Sequence, residues 1–201
     1  MYYDLHTHHF PERDEDSSHI FYSIGIHPWH IPKDNIEKEL SLIEKCALLP
    51  GVKAIGECGL DKLCETDFEL QKKVFSFHIS ISEKTGKPLI IHCVKSFDEI
   101  IFFKKKSQPA QAWIIHGFRG KPQQAKQLIR QGFYLSFGSN YNEQSIQNIP
   151  IERIFFETDD SGCDIRTIYG NAAKVLNIPE KNLIRQIEEN ISSVFIMGRV
   201  F

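Results

Sequence analysis

The sequence predicts an α/β fold with a parallel sheet, on three observations. Short apolar runs alternate with longer amphipathic ones along the whole chain. Several of the short runs are continuously apolar, as in PLIIH and AWIIH, which fits strands covered on both faces. Polar residues of one chemical kind, histidine or carboxylate, close one run after another. Strand–helix alternation at this spacing implies parallel βαβ connections. Periodicity alone leaves a closed barrel and an open doubly wound sheet both standing.

Strands are expected at Tyr2 to His6, Phe21 to His27, Lys53 to Glu57, Leu89 to His92, Ala112 to His116, Phe133 to Phe137 and Arg153 to Asp159. A helix is expected at Ile36 to Leu49. Thr66 and Glu69 form a capping-box pattern ahead of Leu70, Val74, Phe77 and Ile81, which share one helical face. Gly86 ends that helix and Pro88 opens the next strand. Ser96 and Glu99 repeat the capping box before Ile100 and Phe103. Pro122 suits a first helical position and Gly132 the residue past the end. Further helices are expected at Arg166 to Leu176 and Lys181 to Ile196. No repeat, low-complexity tract or linker divides the chain, so residues 1–201 are expected to form a single domain.

With 41% hydrophobic and 25% charged residues, the chain falls among ordinary globular proteins. A net charge of −2 and a pI near 6.5 give no support for tight, non-specific nucleic-acid binding. Lys104 to Lys106 is a short cluster at a helix end. The five cysteines are odd in number and contain no CxxC pair, so neither a disulfide framework nor a zinc ribbon is expected. The first residues lack the layout of a secretory signal, and no apolar stretch approaches the roughly 20 residues needed to span a bilayer. A reduced, cytoplasmic setting with no membrane partner is the expectation.

Metal-ligand residue types recur at the ends of the apolar runs. His6 and His8 are two apart on one strand and so point to the same side. Glu57, His92, His116 and Asp159 close four other runs, whose C-terminal ends converge on one face if the sheet closes as a barrel. A lone strand-end histidine is usually a hydrogen-bonded structural residue, and a lone Glu57 or Asp159 suits a helix cap. The same coincidence at five strand ends points to metal. A mixed nitrogen and oxygen shell suits zinc, manganese, nickel or iron, with magnesium less suited to so many imidazoles. Six candidate ligands exceed the needs of one ion. Two divalent ions are therefore expected, with Glu57 able to bridge them.

The stretches DLHTH, SIGIHPW, AIGECGLD, PLIIHC, IIHGFRG, FYLSFG and FFETD, in that order, resemble the TatD family of metal-dependent deoxyribonucleases within the amidohydrolase superfamily. The resemblance covers nearly the whole chain. It implies a TIM-like (β/α) barrel, a two-metal site and hydrolysis of DNA phosphodiester bonds. Position by position it makes His6, His8, Glu57, His92, His116 and Asp159 metal ligands. Asp159 is then the general base that takes a proton from the attacking water, with Glu57 beside it in the catalytic set. DNA strand ends or single-stranded DNA are the expected substrate. The alternatives are hydrolysis of small phosphoesters, lactones or amides at the same site, or a binding protein without turnover.

The chain departs from that pattern in two ways. Only His9 to Ile20 lie between the HxH strand and the SIGIHPW strand, where a typical member has a further β/α unit. A barrel of seven strands is therefore expected, open or distorted at that edge. A loop or a second subunit would have to cover the edge, which makes a homodimer an expectation too. The second departure is local. HGFRG and ETDDSG replace the usual HCFSG-like and ETDSP-like stretches, and Cys93, Val94, Lys95 and Ser96 follow His92. Lys95 and Arg119 are candidates for phosphate contact, the alternative being solvated loop charges.

Among the other polar residues, His27 is expected to line the pocket and Trp29 to offer a stacking surface for a base. Asp61 either orients a ligand or caps a loop. His78 is expected in the core. Cys58 and Cys93 should point away from the site by strand alternation.

Overall fold

The computed structural model describes residues 1–8 and 21–195, which belong to two compact units. One unit is Tyr22–Ile115; the other joins Met1–Phe21 to His116–Phe201. The short connection from His9 to Ile20 lies outside the described residues.

The Tyr22–Ile115 unit runs β1 (Tyr22–Ile24), a 3-10 turn (Pro28–His30), α1 (Ile36–Cys46), β2 (Val52–Asp61), α2 (Phe68–Thr85), β3 (Leu89–Val94), α3 (Phe97–Ser107) and β4 (Trp113–Ile115). The strands pair in sequence order and all in parallel, as apolar runs joined by helices require. Ala54, Ile55, Leu60, Ile90, Ile91, Phe75 and Trp113 are fully buried, with consecutive strand residues buried on both faces of the sheet. Phe75 meets Trp113 edge-on at 5.5 Å. Side chains of this size each stabilise by about 1.5–3 kcal/mol on burial.

β2 is longer than expected: it continues through Glu57 to Asp61, so the AIGECGLD stretch is strand throughout. Ile55 pairs with Leu89 and Cys58 with Ile91, so three steps on β2 match two on β3. This bulge adds one residue at Gly56–Glu57 and re-aims the side chains beyond it. The two glycines of the stretch are required. Gly56 and Gly59 have φ of 148° and 146°, and a Cβ on either would strike the backbone of β3, at Ile90 and at His92.

Helix ends correct two expectations. Asp67 caps α2, its Oδ1 accepting the Leu70 N–H at 2.8 Å, so Thr66 is not the cap. Ser96 precedes α3 but makes no capping bond; its hydroxyl donates instead to the Leu60 carbonyl at 2.6 Å, tying β2 to the start of α3. Gly86 ends α2 with φ 68°, with the Lys87 N–H returning to the Ser82 carbonyl at 3.1 Å.

The second unit runs α4 (Pro122–Arg130), β5 (Tyr134–Phe137), α5 (Glu143–Gln147), a 3-10 turn (Ile151–Arg153), β6 (Ile154–Phe156), α6 (Ile165–Leu176) and α7 (Glu180–Val194). β5 and β6 are parallel. Pro122 opens α4, and Gly132 at φ 78° follows its end. The expected strand Tyr2 to His6 is an extended segment lying along β6 rather than a regular strand. Leu5 N–H donates to the Phe156 carbonyl, Asp159 N–H to that of His6, and His8 N–H to that of Asp159. The ladder stays short because Asp159 turns into the left-handed region, at φ 54°. Among the described residues, no helix is long and apolar enough to cross a membrane.

Candidate metal centre

In the Tyr22–Ile115 unit, β1, β2 and β3 bring His27, Glu57 and His92 together, with ligand atoms all within 4.8 Å of one another. His27 follows β1 and caps the 3-10 turn: its Nδ1 accepts the Trp29 N–H at 3.2 Å. The other nitrogen, Nε2, therefore carries the proton, and it lies 3.3 Å from Glu57 Oε1. His27 is placed as an orienting donor to Glu57, with no lone pair left for a metal.

His92 has the opposite arrangement. Its Nε2 is 3.1 Å from Asp61 Oδ2, and its Nδ1 is 2.8 Å from Glu57 Oε1. With the Nε2 proton on Asp61, the Nδ1 lone pair faces a carboxylate oxygen. A proton or a metal cation must lie between them. Asp61 is almost wholly buried and also accepts from Trp29 Nε1 at 2.6 Å and Leu63 N at 2.7 Å. Burial pushes this carboxyl up, but the hydrogen bonds from Trp29, Leu63 and His92 outweigh it and hold Asp61 below the usual carboxylate range.

In the second unit, His6, His116 and Asp159 offer ligand atoms within 4.8 Å of one another. The His6 and His8 rings sit edge to face at 4.9 Å, as residues two apart on an extended segment should. Asp159 Oδ1 is 3.8 Å from His6 Nε2 and 3.6 Å from His8 Nε2. These distances are too long for hydrogen bonds. They are close to the separation of about 3.4 Å between donors around a tetrahedral zinc ion. His6 is buried, whereas His8 is exposed.

Two buried carboxylates that the sequence reasoning missed support this cluster. Glu157 is fully buried, accepts the Gly117 N–H at 2.5 Å and lies 3.4 Å from His116 Nδ1. Burial raises its pKa, yet the neighbouring His116 and His6 together with Ser136 bring it below the ordinary value. Its second oxygen, Oε2, is buried without a hydrogen bond. Asp4 accepts from Thr158 N at 3.0 Å and Thr158 Oγ1 at 2.7 Å, and burial pushes it up to about 6 despite those bonds. Strand parity was the available signal: Asp4 is two before His6, and Glu157 two before Asp159.

The donor chemistry fits divalent cations. Imidazoles and carboxylates are in place, with buried Asp61 behind His92 and buried Glu157 behind His116, and thiolates are not part of either cluster. Burial drives the Cys58 thiol well up and the Cys93 thiol up to about 12, so both stay protonated. Lys95 follows β3 with φ 52° and is exposed; Arg119 is exposed three residues beyond His116.

The chain matches the family described as TatD related DNase over residues 6–196. It is 32% identical over 187 residues to a putative deoxyribonuclease TATDN1 homolog of Enterocytozoon bieneusi, covering 85% of this chain and 68% of that one. It is 34% identical over 149 residues to an uncharacterized metal-dependent hydrolase of Buchnera aphidicola and 30% over 157 residues to YabD of Bacillus subtilis, also an uncharacterized metal-dependent hydrolase. The chain spans 56% and 61% of the lengths of those two relatives. The crystal structure of YjjV, a TatD homolog from Escherichia coli, aligns with a TM-score of 0.80 at 19% identity, over 90% of this chain and 78% of that one. That likeness shows the fold, the TIM-like (β/α) class with its parallel strands and intervening helices. By the extent of the family match and the DLHTH, AIGECGLD and FFETD stretches that build these clusters, the chain belongs to the TatD-related DNase family.

Proposed function

We propose that this chain is a metal-dependent phosphodiesterase that cuts DNA at strand ends or in single strands. The observation that carries the reading is the donor set: His6, His8, His116 and Asp159 in one unit, Glu57 and His92 in the other. When bound there, divalent cations (zinc, manganese, magnesium, nickel or iron) supply positive charge that lowers the pKa of the attacking water and offsets charge on phosphoryl oxygens.

The chain's own residues do the rest. Asp159, held by backbone bonds to His6 and His8, takes the proton of the attacking water as general base. Glu57, oriented by the His27 Nε2–H, is the second carboxylate of the catalytic set. Asp61 and Glu157 hold His92 and His116 in the tautomers that point a lone pair at the cation. Lys95 and Arg119 supply exposed cations for the phosphate backbone. A net charge of −2 fits action on ends and short single strands better than tight duplex binding. Support also comes from relatives named putative deoxyribonuclease homologs.

The test is cleavage of end-labelled single-stranded DNA by metal-loaded protein, with and without chelator. Chelator-sensitive cleavage that His116→Ala and Asp159→Ala each abolish is expected. Folded, metal-loaded protein that leaves DNA intact but hydrolyses small phosphoesters, lactones or amides would move the activity to those substrates. Bound metal with no hydrolysis of any of them would leave a binding protein.

A further inference from the structure

We propose that Trp29 is a stacking platform for one unpaired nucleobase, held in register with His92 by the carboxylate of Asp61. The inference rests on the phosphodiesterase reading and names how the substrate strand is positioned.

Trp29 is 60% exposed, an unusual state for the largest apolar side chain, whose burial would otherwise stabilise the fold. It is nevertheless fixed. Its Nε1–H donates to Asp61 Oδ2 at 2.6 Å, and Asp61 is itself only 2% exposed. Its backbone lies in the 3-10 turn Pro28–His30, locked by the bond from Trp29 N to His27 Nδ1 and by His30 N–H to the His27 carbonyl at 2.9 Å. The ring stands nearly perpendicular to the imidazoles of His27 and His92, at 87° and 75° with centroids 5.0 and 6.0 Å away. A flat apolar surface is thus presented to solvent with its rotamer already chosen, so little ordering entropy is lost when a flat ligand lands on it.

The shared oxygen supplies the register. Asp61 Oδ2 takes both Trp29 Nε1–H and His92 Nε2. One rigid acceptor thereby fixes the platform relative to the imidazole that faces Glu57. A single strand of DNA carries a phosphodiester to be cut and unstacked planar bases beside it. Every base has a π-face, so such a platform grips without reading sequence.

The chain has two tryptophans, and the other, Trp113, is fully buried, so a ligand-dependent change in emission reports Trp29. The experiment titrates zinc-loaded full-length chain with a short phosphorothioate-linked oligothymidine, which resists cleavage, and with an abasic strand of the same backbone. The base-bearing strand should quench emission and the abasic strand should not. Trp29→Ala removes that reporter, so its binding is read from the anisotropy of dye-labelled strands; it should weaken binding of the base-bearing strand roughly tenfold and bring its preference over the abasic strand close to unity. Asp61→Asn, which replaces a charged acceptor with a neutral one, should lower the quench by weakening the hold on the ring, with circular dichroism confirming the fold. Equal quenching by both strands, or a base preference that survives Trp29→Ala, overturns the proposal. Base-specific quenching by a protein that does not cut DNA supports the platform while overturning the phosphodiesterase reading.

Discussion

The pH dependence of stability should carry the signature of one histidine that belongs to neither cluster. His78 lies on the buried face of α2 with no exposed surface. Its Nδ1 bonds the Val74 carbonyl at 2.8 Å, and its Nε2 accepts the Ile26 N–H at 3.0 Å. The ring must be neutral to accept that bond. Burial lowers its pKa from 6.5 to about 4. Because the unfolded chain binds this proton more readily, the contribution is complete above pH 6.5 and is lost as pH falls from 6.5 toward 4. At 1.36 kcal/mol per unit, the full loss is about 3 kcal/mol, and about 2 kcal/mol is already gone at pH 5. Asp4 slopes the other way. Its folded pKa is raised from 3.8 to about 6, so it costs stability as pH rises through that window. The wild-type curve alone therefore nearly cancels. The informative quantity is the difference between wild type and His78→Gln, which keeps an acceptor for Ile26 N–H but does not titrate. Urea unfolding from pH 7 to 4.5 in chelator should show the wild-type advantage shrinking by about 2 kcal/mol or more. A difference that stays flat across that range would refute the neutral-imidazole argument.

Two further substitutions test the scaffold of the clusters. Gly59→Ala places a Cβ against the His92 backbone at a φ of 146°; the backbone conformation alone should cost about 1–3 kcal/mol. A thermal midpoint equal to wild type would show that β2 does not need glycine there. Glu157→Gln removes the charge behind His116 while keeping the shape, and should weaken metal binding about 10–100-fold in competition with a chromophoric chelator. Unchanged affinity would leave Glu157 a purely structural residue.

The apolar runs made most of the fold legible, because a strand buried on both faces leaves an uninterrupted hydrophobic signature. What the runs hid was geometry set by other segments. β2 read as ending at Glu57 because glycines look like breaks, whereas Gly56 and Gly59 are there for close approach to β3. Thr66 and Asp67 are both good caps, and only the chain's path into α2 selects Asp67. Ser96 has cap chemistry but finds a better partner in Leu60 of the neighbouring strand. At the clusters, histidines at run ends were conspicuous; Glu157 and Asp4, the acids behind them, were not. Their parity with Asp159 and His6 was visible, but their burial depends on segments distant in sequence.

The extended segment that carries His6 and His8 has a consequence for the order of events during synthesis. Its backbone partners are Phe156 and Asp159, and Asp4 meets Thr158 across 154 positions. At about 5–20 residues per second, a ribosome takes roughly 8–30 s to make that interval. Throughout it the first two histidines have no β6 to lie against. Within the Tyr22–Ile115 unit, β1 to β4 pair in the order in which they are made. Two of the six ligands, Glu57 and His92, are therefore available early in the life of the chain, and the full set only after residue 159 has emerged.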